Sequence, residues 1–199
     1  DTYDLYYLPN DGSPYPRDFI IDQNGIIQYA NNEIDTEWMM FILNELLGNQ
    51  AIELTISYSE NWNMIGLPLS VDNPDAQFLF PESVENTLFT FAEGGYSQEP
   101  ILNFGIGYWL RFHSHGTSTI SGQSLDELSI ELTNGWNMIS GISQMVSVNA
   151  IYDPDQLIID GTVYSFNDGY EPAGTIEPGQ GYWVRSSGNG TIALTSSIY

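Results

Sequence analysis

From residue 50 onward, apolar and polar residues alternate with a period of two. Leu54, Ile56 and Tyr58 alternate with polar neighbours, and residues 128–132 (LSIEL) show the same alternation. This pattern is typical of strands that bury one face and expose the other. No helical periodicity interrupts it, so the pattern predicts an all-β structure for residues 50–199.

Two segments of this region have the form of hairpins. In residues 89–96, two phenylalanines lead through Glu-Gly-Gly to a tyrosine, and in residues 164–170 a similar pair leads through Asn-Asp-Gly to a tyrosine. We expect the glycines to supply the positive φ that such turns need. Pro178 and Gly179 predict the centre of a type II turn just before another strand.

The β-region contains an internal repeat with an offset of 74 positions. Residues 61–66 (NWNMIG) recur as residues 135–140 (GWNMIS), and residues 107–111 (GYWLR) recur as residues 181–185 (GYWVR). Self-similarity at one spacing indicates repeated structural units. The sequence therefore predicts three parts, namely a short first segment (1–49), repeat 1 (50–122) and repeat 2 (123–199).

The connection between the repeats is short, which favours two copies packed together. The pattern leaves open whether the copies are two small barrels or sandwiches, or two halves of one pseudo-symmetric sandwich.

The first segment has a different pattern. Residues 19–22 and 26–30 read as two strands joined by an Asn-Gly turn, a strong hairpin signal. Asp35 or Thr36 can cap a helix with helically spaced apolar residues that ends at Gly48. The predicted order is strand, strand, helix.

Residues 15–27 (YPRDFIIDQNGII) resemble the C-terminal half of thioredoxin-like redoxins. The resemblance extends over residues 3–47 and implies that Pro16 is the family's cis-proline. The family's redox cysteines belong to the first half of the fold, which is absent from this sequence, and the chain contains no cysteine. We therefore expect no thiol–disulfide exchange, and we expect the half-fold to expose an apolar face.

The two repeated motifs resemble the tandem β-modules, with GWN(M/L)I and PGxGYW(V/L)R signatures, of secreted multidomain proteins in Bacteroidetes and related phyla. Such modules often precede a type IX secretion sorting domain. The resemblance implies a secreted protein, located outside the cell or on its surface, and it implies no catalytic residue.

Composition narrows the possible partners. The chain has 26 acidic residues and three cationic residues, all arginine, for a formal net charge of -23. Such a chain is repelled by nucleic acid and by anionic membrane surfaces. The charge therefore predicts no nucleic-acid binding. No apolar stretch is long enough for a transmembrane helix, so we expect no membrane insertion.

The repeats contain two groups of candidate site residues, one aromatic and one cationic. Aromatic residues at repeated positions either fill the core, since each copy needs the same interior, or form a binding surface; the candidates for the surface are Tyr96, Tyr108, Tyr170 and Tyr182. Neighbouring residues of a strand point to opposite faces, so one residue of each Tyr-Trp pair should point outward. Arg111 and Arg185 occupy equivalent places, and we expect each to pair with a carboxylate or to stack on a ring.

Acidic loops supply oxygen ligands of the kind that Ca²⁺ prefers. The candidate ligands are Asp72, Asp75, Asp153, Asp155 and Asp168. No other cofactor is indicated.

The sequence contains no credible catalytic constellation. It favours a non-catalytic extracellular structural or interaction module, used for surface display or for self-assembly into a filament or coat, whose partners are further copies of itself or another surface protein. One alternative is a pair of carbohydrate-binding modules with glycan ligands. Another is an inert fragment of a larger secreted protein that contains a redoxin.

Overall fold

The computed structural model describes residues 18–31, 35–48, 51–92 and 94–196. The fold is mainly β with antiparallel sheets, as predicted. The chain divides into two compact units, residues 1–50 and residues 51–199. The expected cis-proline, Pro16, lies outside the described residues.

The first unit contains the predicted hairpin and helix, which are β1 (Asp18–Ile21), β2 (Ile27–Asn31) and α1 (Thr36–Gly48). Asp22 organises the turn, because its Oδ1 accepts the backbone N–H groups of Asn24 and Ile26 at 2.8 and 2.9 Å. The bond from the Ile26 N–H, and then one from the Gln28 side chain, lower the pKa of Asp22. Gly25 has a φ of 78°, which fits the predicted Asn-Gly turn.

Helix α1 begins as its sequence predicts. The Asp35 carboxylate accepts the Trp38 N–H at 3.1 Å, and Gly48 is the last helical residue rather than the first one beyond it. Several large apolar side chains of this unit are exposed: Ile21, Ile26, Ile27, Trp38, Met40, Phe41 and Leu47.

The second unit contains both repeats. The elements of repeat 1 are β3 (Ile52–Tyr58), β4 (Asn61–Ile65), β5 (Leu69–Ser70), α2 (Ala76–Leu79), β6 (Phe89–Ala92), β7 (Gly95–Gln98), β8 (Tyr108–Phe112) and β9 (Gly116–Ser124). The elements of repeat 2 are β10 (Glu127–Leu132), β11 (Gly135–Ser140), β12 (Val146–Ser147), a 3₁₀ turn (Val148–Ala150), β13 (Tyr164–Phe166), β14 (Tyr170–Pro172), β15 (Thr175–Ile176), β16 (Gly181–Ser186) and β17 (Gly190–Thr195).

Each repeat packs one four-stranded sheet against a smaller one. In repeat 1 the sheet β4-β8-β6-β7 covers a core that also involves β3-β9-β5. In repeat 2 the sheet β11-β16-β13-β14 covers a second core, which also involves β10-β17 and β12-β15. Because β9 runs from Gly116 to Ser124, the predicted boundary at 122/123 falls inside a strand of repeat 1.

The repeats exchange backbone hydrogen bonds in a reciprocal way. The Gly66 N–H donates to the Gly179 carbonyl, and the equivalent Ser140 N–H donates to the Gly105 carbonyl, both at 3.1 Å. A third apolar cluster, centred on Met64, Met138 and Trp183, lies between the repeats. Each repeat thus has its own core and shares this third one.

The turns largely follow the predicted chemistry. Gly94 and Gly179 have φ values of 80° and 77°. In the hairpin between β13 and β14, however, Asp168 has the positive φ (55°) and Gly169 does not. The expectation for that glycine was wrong because aspartate, with a short polar side chain, also tolerates the left-handed region.

Candidate binding clefts

The Trp-Asn-Met-Ile motif divides its side chains between the two faces of a sheet. In β4, Ile65 lies in the core of repeat 1, while Met64 belongs to the cluster shared with repeat 2. Trp62 lies two positions before Met64 and so points to the same face, called here the outer face. In β11, Trp136 and Met138 are placed in the same way, since the two strands are equivalent.

The asparagine of the motif fixes the turn that precedes the strand. Asn63 accepts the Ser59 N–H and donates to the Ser59 carbonyl, both at 2.9 Å. Asn137 makes the same pair of bonds with Thr133, at 2.9 and 2.8 Å. This turn fixes the start of the strand that carries Trp62 or Trp136.

The Gly-Tyr-Trp motif places its tyrosine inside the repeat. Tyr108 and Tyr182 are buried, and their hydroxyl oxygens accept the backbone N–H groups of Asn103 and Glu177 at 3.0 and 2.8 Å. Burial raises the pKa of both phenols. The prediction that these two tyrosines belong to a binding surface is therefore wrong, because the alternation assigned opposite faces without showing which face the core covers.

The glycine of this motif permits the repeats to approach each other. A Cβ atom at Gly107 would lie 2.6 Å from the Ile139 carbonyl oxygen, and one at Gly181 would lie 2.8 Å from the Ile65 carbonyl oxygen. Only glycine leaves room for the partner strand at these positions.

The outer faces meet to form two equivalent aromatic clefts. Cleft 1 has a volume of about 460 Å³ and is lined by Trp62, Phe89, Tyr96, Trp109 and Phe166. Cleft 2 has a volume of about 450 Å³ and is lined by Phe91, Trp136, Tyr164, Tyr170 and Trp183. Both volumes fall within the range of small-molecule sites.

Each cleft takes one ring from the other repeat. Phe166 of repeat 2 packs on Trp109 in cleft 1, with ring centroids 4.8 Å apart and planes at 80°. Phe91 of repeat 1 packs on Trp183 in cleft 2, with centroids 5.1 Å apart and planes at 71°. The rings form steep walls rather than a flat strip, so neither cleft has the coplanar platform expected of a stacked-sugar site.

The tyrosines at the hairpin tips lie at the surface, and their place in a binding surface stays a prediction. Tyr96 and Tyr170 are 58% and 57% exposed, and Trp62 and Trp136 are 40% and 42% exposed. Tyr96 packs edge-on against Phe91 across the hairpin. These four rings are accessible to a ligand.

The polar groups of the clefts have no partners. Within the described ranges, no hydrogen bond is made by the indole N–H groups of Trp62, Trp109, Trp136 and Trp183, nor by the hydroxyls of Tyr96, Tyr164 and Tyr170. Fully enclosed polar atoms without partners occur elsewhere in the described residues, at Asp18, Tyr29 and Ser140. The unpaired donors of the clefts therefore reach solvent.

An arginine lies beside each cleft. Arg111 is directly opposite Trp62 in the β4–β8 pairing, and Arg185 is directly opposite Trp136 in the β11–β16 pairing. Opposite residues of antiparallel strands share a face. Both arginines are exposed, and the described parts of the chain provide neither with the expected carboxylate or ring partner.

The candidate calcium ligands do not form a common site, and two of them bind backbone N–H groups instead. Asp75 caps α2 through the Phe78 N–H at 2.9 Å. Asp153 uses one oxygen for the Leu157 N–H and the other for the Ile158 N–H, at 2.9 and 2.8 Å. Asp72, Asp155 and Asp168 are exposed. Across the described ranges, no three acidic or histidine side chains come together as a metal site.

No protein-family model, curated protein or solved structure matches this chain. Among the described residues, neither helix has the length and apolar character required to cross a membrane.

Proposed function

We propose that this protein is a non-catalytic interaction module that acts outside the cell and binds its ligand in the two aromatic clefts. The observation that carries the proposal is the pair of clefts itself. Two exposed apolar clefts with unpaired donors occur at equivalent places, and exposed aromatic side chains of both repeats gather there. Exposed aromatic surfaces of this kind commonly mark interaction sites.

The resemblance of the repeats to secreted tandem β-modules supports an extracellular location. The high net negative charge fits this role, because like charge keeps a free protein soluble. The exposed apolar side chains of the first unit, including Trp38 and Phe41, favour contact with another subunit or another surface protein as a second activity.

The clefts are tested by exposing the full-length protein to immobilised oligosaccharides and peptides. The Trp62→Ala/Trp136→Ala double variant should lose at least tenfold in affinity for any ligand captured, because each substitution removes an accessible wall. Tyr152→Ala is the matched control, since Tyr152 is an exposed aromatic residue of repeat 2 that lines neither cleft. Capture that the double variant retains, or no capture from either class at millimolar concentrations, would contradict the proposal.

The second activity is tested by sedimentation at several salt concentrations. Screening of the like charge should favour association, so a larger species should increase with salt. A monomer at every salt and protein concentration would rule out self-assembly and leave the clefts unaffected.

A further inference from the structure

We infer that the clefts recognise proline-rich peptide segments in the polyproline II conformation, one segment for each cleft. The inference rests on the proposed function, and it names the class of ligand. Three properties of the clefts support it, namely their hydrogen-bonding groups, the arrangement of their rings and the charge of the chain around them.

The clefts are lined almost wholly by apolar surface, and each of their few polar side-chain groups can donate a hydrogen bond. Cleft 1 offers the indole N–H groups of Trp62 and Trp109 with the Tyr96 hydroxyl, and no carboxylate or amide side chain lines it. Cleft 2 offers the indole N–H groups of Trp136 and Trp183 with the hydroxyls of Tyr164 and Tyr170. Indole N–H groups donate only, whereas a hydroxyl can also accept.

Such a donor set complements a ligand rich in acceptors. A proline residue has a carbonyl oxygen but no N–H, so a proline-rich segment offers acceptors without donors that need partners. A sugar presents hydroxyl groups that both donate and accept, and the few acceptor side chains of the clefts, which are tyrosine hydroxyls, leave most of the donated protons unpaired. The donor set therefore favours the peptide over the sugar.

The arrangement of the rings favours the same ligand. Trp109 and Phe166 meet at 80°, and Trp62 and Phe89 meet at 56°. Rings at steep angles form a notch for a compact puckered ring such as pyrrolidine, whereas sugars stack on flat platforms. Polyproline II helices bind in aromatic-lined grooves of this kind, and their preformed conformation limits the entropy lost on binding.

The net charge of the protein predicts which charge the residues beside the proline run of the peptide should carry. A formal net charge of -23 attracts cationic ligands and repels anionic ones at long range. The guanidinium groups of Arg111 and Arg185 lie beside the clefts and can donate to peptide carbonyls. We therefore expect proline runs flanked by lysine or arginine to bind more tightly than runs flanked by glutamate.

The test uses acetyl-decaproline-amide as the probe, titrated into the full-length protein by calorimetry. Two sites per chain are expected. Trp62→Ala should remove one site, Trp136→Ala should remove the other, and Tyr152→Ala should leave both, because Tyr152 is exposed and lines neither cleft. Trp62→Phe separates hydrogen bonding from burial, because it keeps a ring but removes the N–H. It should weaken its site about fivefold.

Cellohexaose and a glycine-serine decapeptide are titrated in parallel. Binding of the sugar without binding of decaproline would overturn the inference and leave the proposed function standing. Equal affinity for the two peptides, or decaproline binding that persists in the Trp62→Ala/Trp136→Ala variant, would overturn the inference as well. If none of the probes binds while the array captures another ligand through the clefts, only the ligand class is wrong.

Lysine-flanked and glutamate-flanked octaproline peptides test the charge argument. At low ionic strength the lysine-flanked peptide should bind at least tenfold more tightly, and the difference should shrink as salt rises. A preference for the glutamate-flanked peptide would show that Arg111 and Arg185 dominate and would overturn this part of the inference.

Discussion

The two repeats share a backbone arrangement but fill it with different side chains. Where Gly66 of repeat 1 meets repeat 2, the equivalent residue is Ser140, and a Cβ at Gly66 would collide with the Ser140 Cβ. Gly105 and Gly179 also differ, because a Cβ at Gly105 would lie 3.0 Å from Ile130 whereas one at Gly179 would overlap Ile56. The repeats therefore tolerate sequence differences as long as the positions of mutual backbone approach stay open.

The clefts show the same relation between similar backbones and different side chains. Trp109 is half-buried and packs against Phe166 and Tyr170 of the other repeat. Its counterpart Trp183 is buried and packs against Trp136 and Phe91. Equivalent motifs thus place equivalent tryptophans, but the neighbouring hairpins decide how accessible each one is. Cleft 1 accordingly exposes more of its second tryptophan.

The largest effect should come from closing the space at the two turn glycines. Gly179→Ala combines positive φ with a collision against Ile56, so we expect it to lower the free energy of unfolding by about 3 kcal/mol. Gly105→Ala should lower it by about 2 kcal/mol, because φ is again positive but the new Cβ would lie 3.0 Å from Ile130 and would not overlap it.

Denaturant unfolding measures both variants, with Gly174→Ala as control. Gly174 has open space around it and no positive φ, so its replacement should change stability by less than about 0.5 kcal/mol. A larger effect for Gly105→Ala than for Gly179→Ala would contradict the difference in packing.

An intermediate effect should come from making the contact between Gly66 and Ser140 symmetric. Gly66→Ser places two serine side chains in space that now holds one, and we expect a loss of about 2 kcal/mol. The Gly66→Ser/Ser140→Gly double variant exchanges the two residues and should recover stability to within about 0.5 kcal/mol. Strictly additive effects in this double-mutant cycle would show that the two positions do not interact.

The smallest effect should come from the phenol hydroxyls. Tyr108→Phe and Tyr182→Phe each remove the acceptor for one backbone N–H, at a cost of about 1 kcal/mol. Because burial raises the pKa of both tyrosines, the unfolded chain loses its phenol protons first as the pH rises above about 10.

The stability that these groups contribute should therefore be fully present and independent of pH below the unfolded pKa, and it should be lost as the pH rises through the folded pKa values. Each Phe variant should make that alkaline decline less steep. Unfolding measured between neutral and alkaline pH checks this expectation, and a decline that is unchanged in both variants would contradict it.

Much of the local structure could be predicted from the sequence. Alternation identified β3 and β10, and the capping pattern identified α1, because these signals depend on residues close together in the chain. The resemblance of the first unit to a redoxin, and the secreted character of the repeats, stay predictions.

The clefts could be predicted only in part. Repetition singled out the aromatic residues, but alternation cannot say which of Tyr108 and Trp109 faces the core. The exchange of Phe91 and Phe166 between repeats depends on how two sheets pack, which no pattern within one strand records. A clue was present in the glycines before each Tyr-Trp pair, since a repeated small residue in a strand indicates close approach of another backbone.

The exchanged rings also couple the two repeats thermodynamically. Unfolding of repeat 2 would remove Phe166 from cleft 1, and unfolding of repeat 1 would remove Phe91 from cleft 2. A ligand bound in either cleft therefore stabilises both repeats by mass action. The two repeats should therefore unfold in a single cooperative transition. A ligand in either cleft should make the whole pair more resistant to unfolding and to proteolysis.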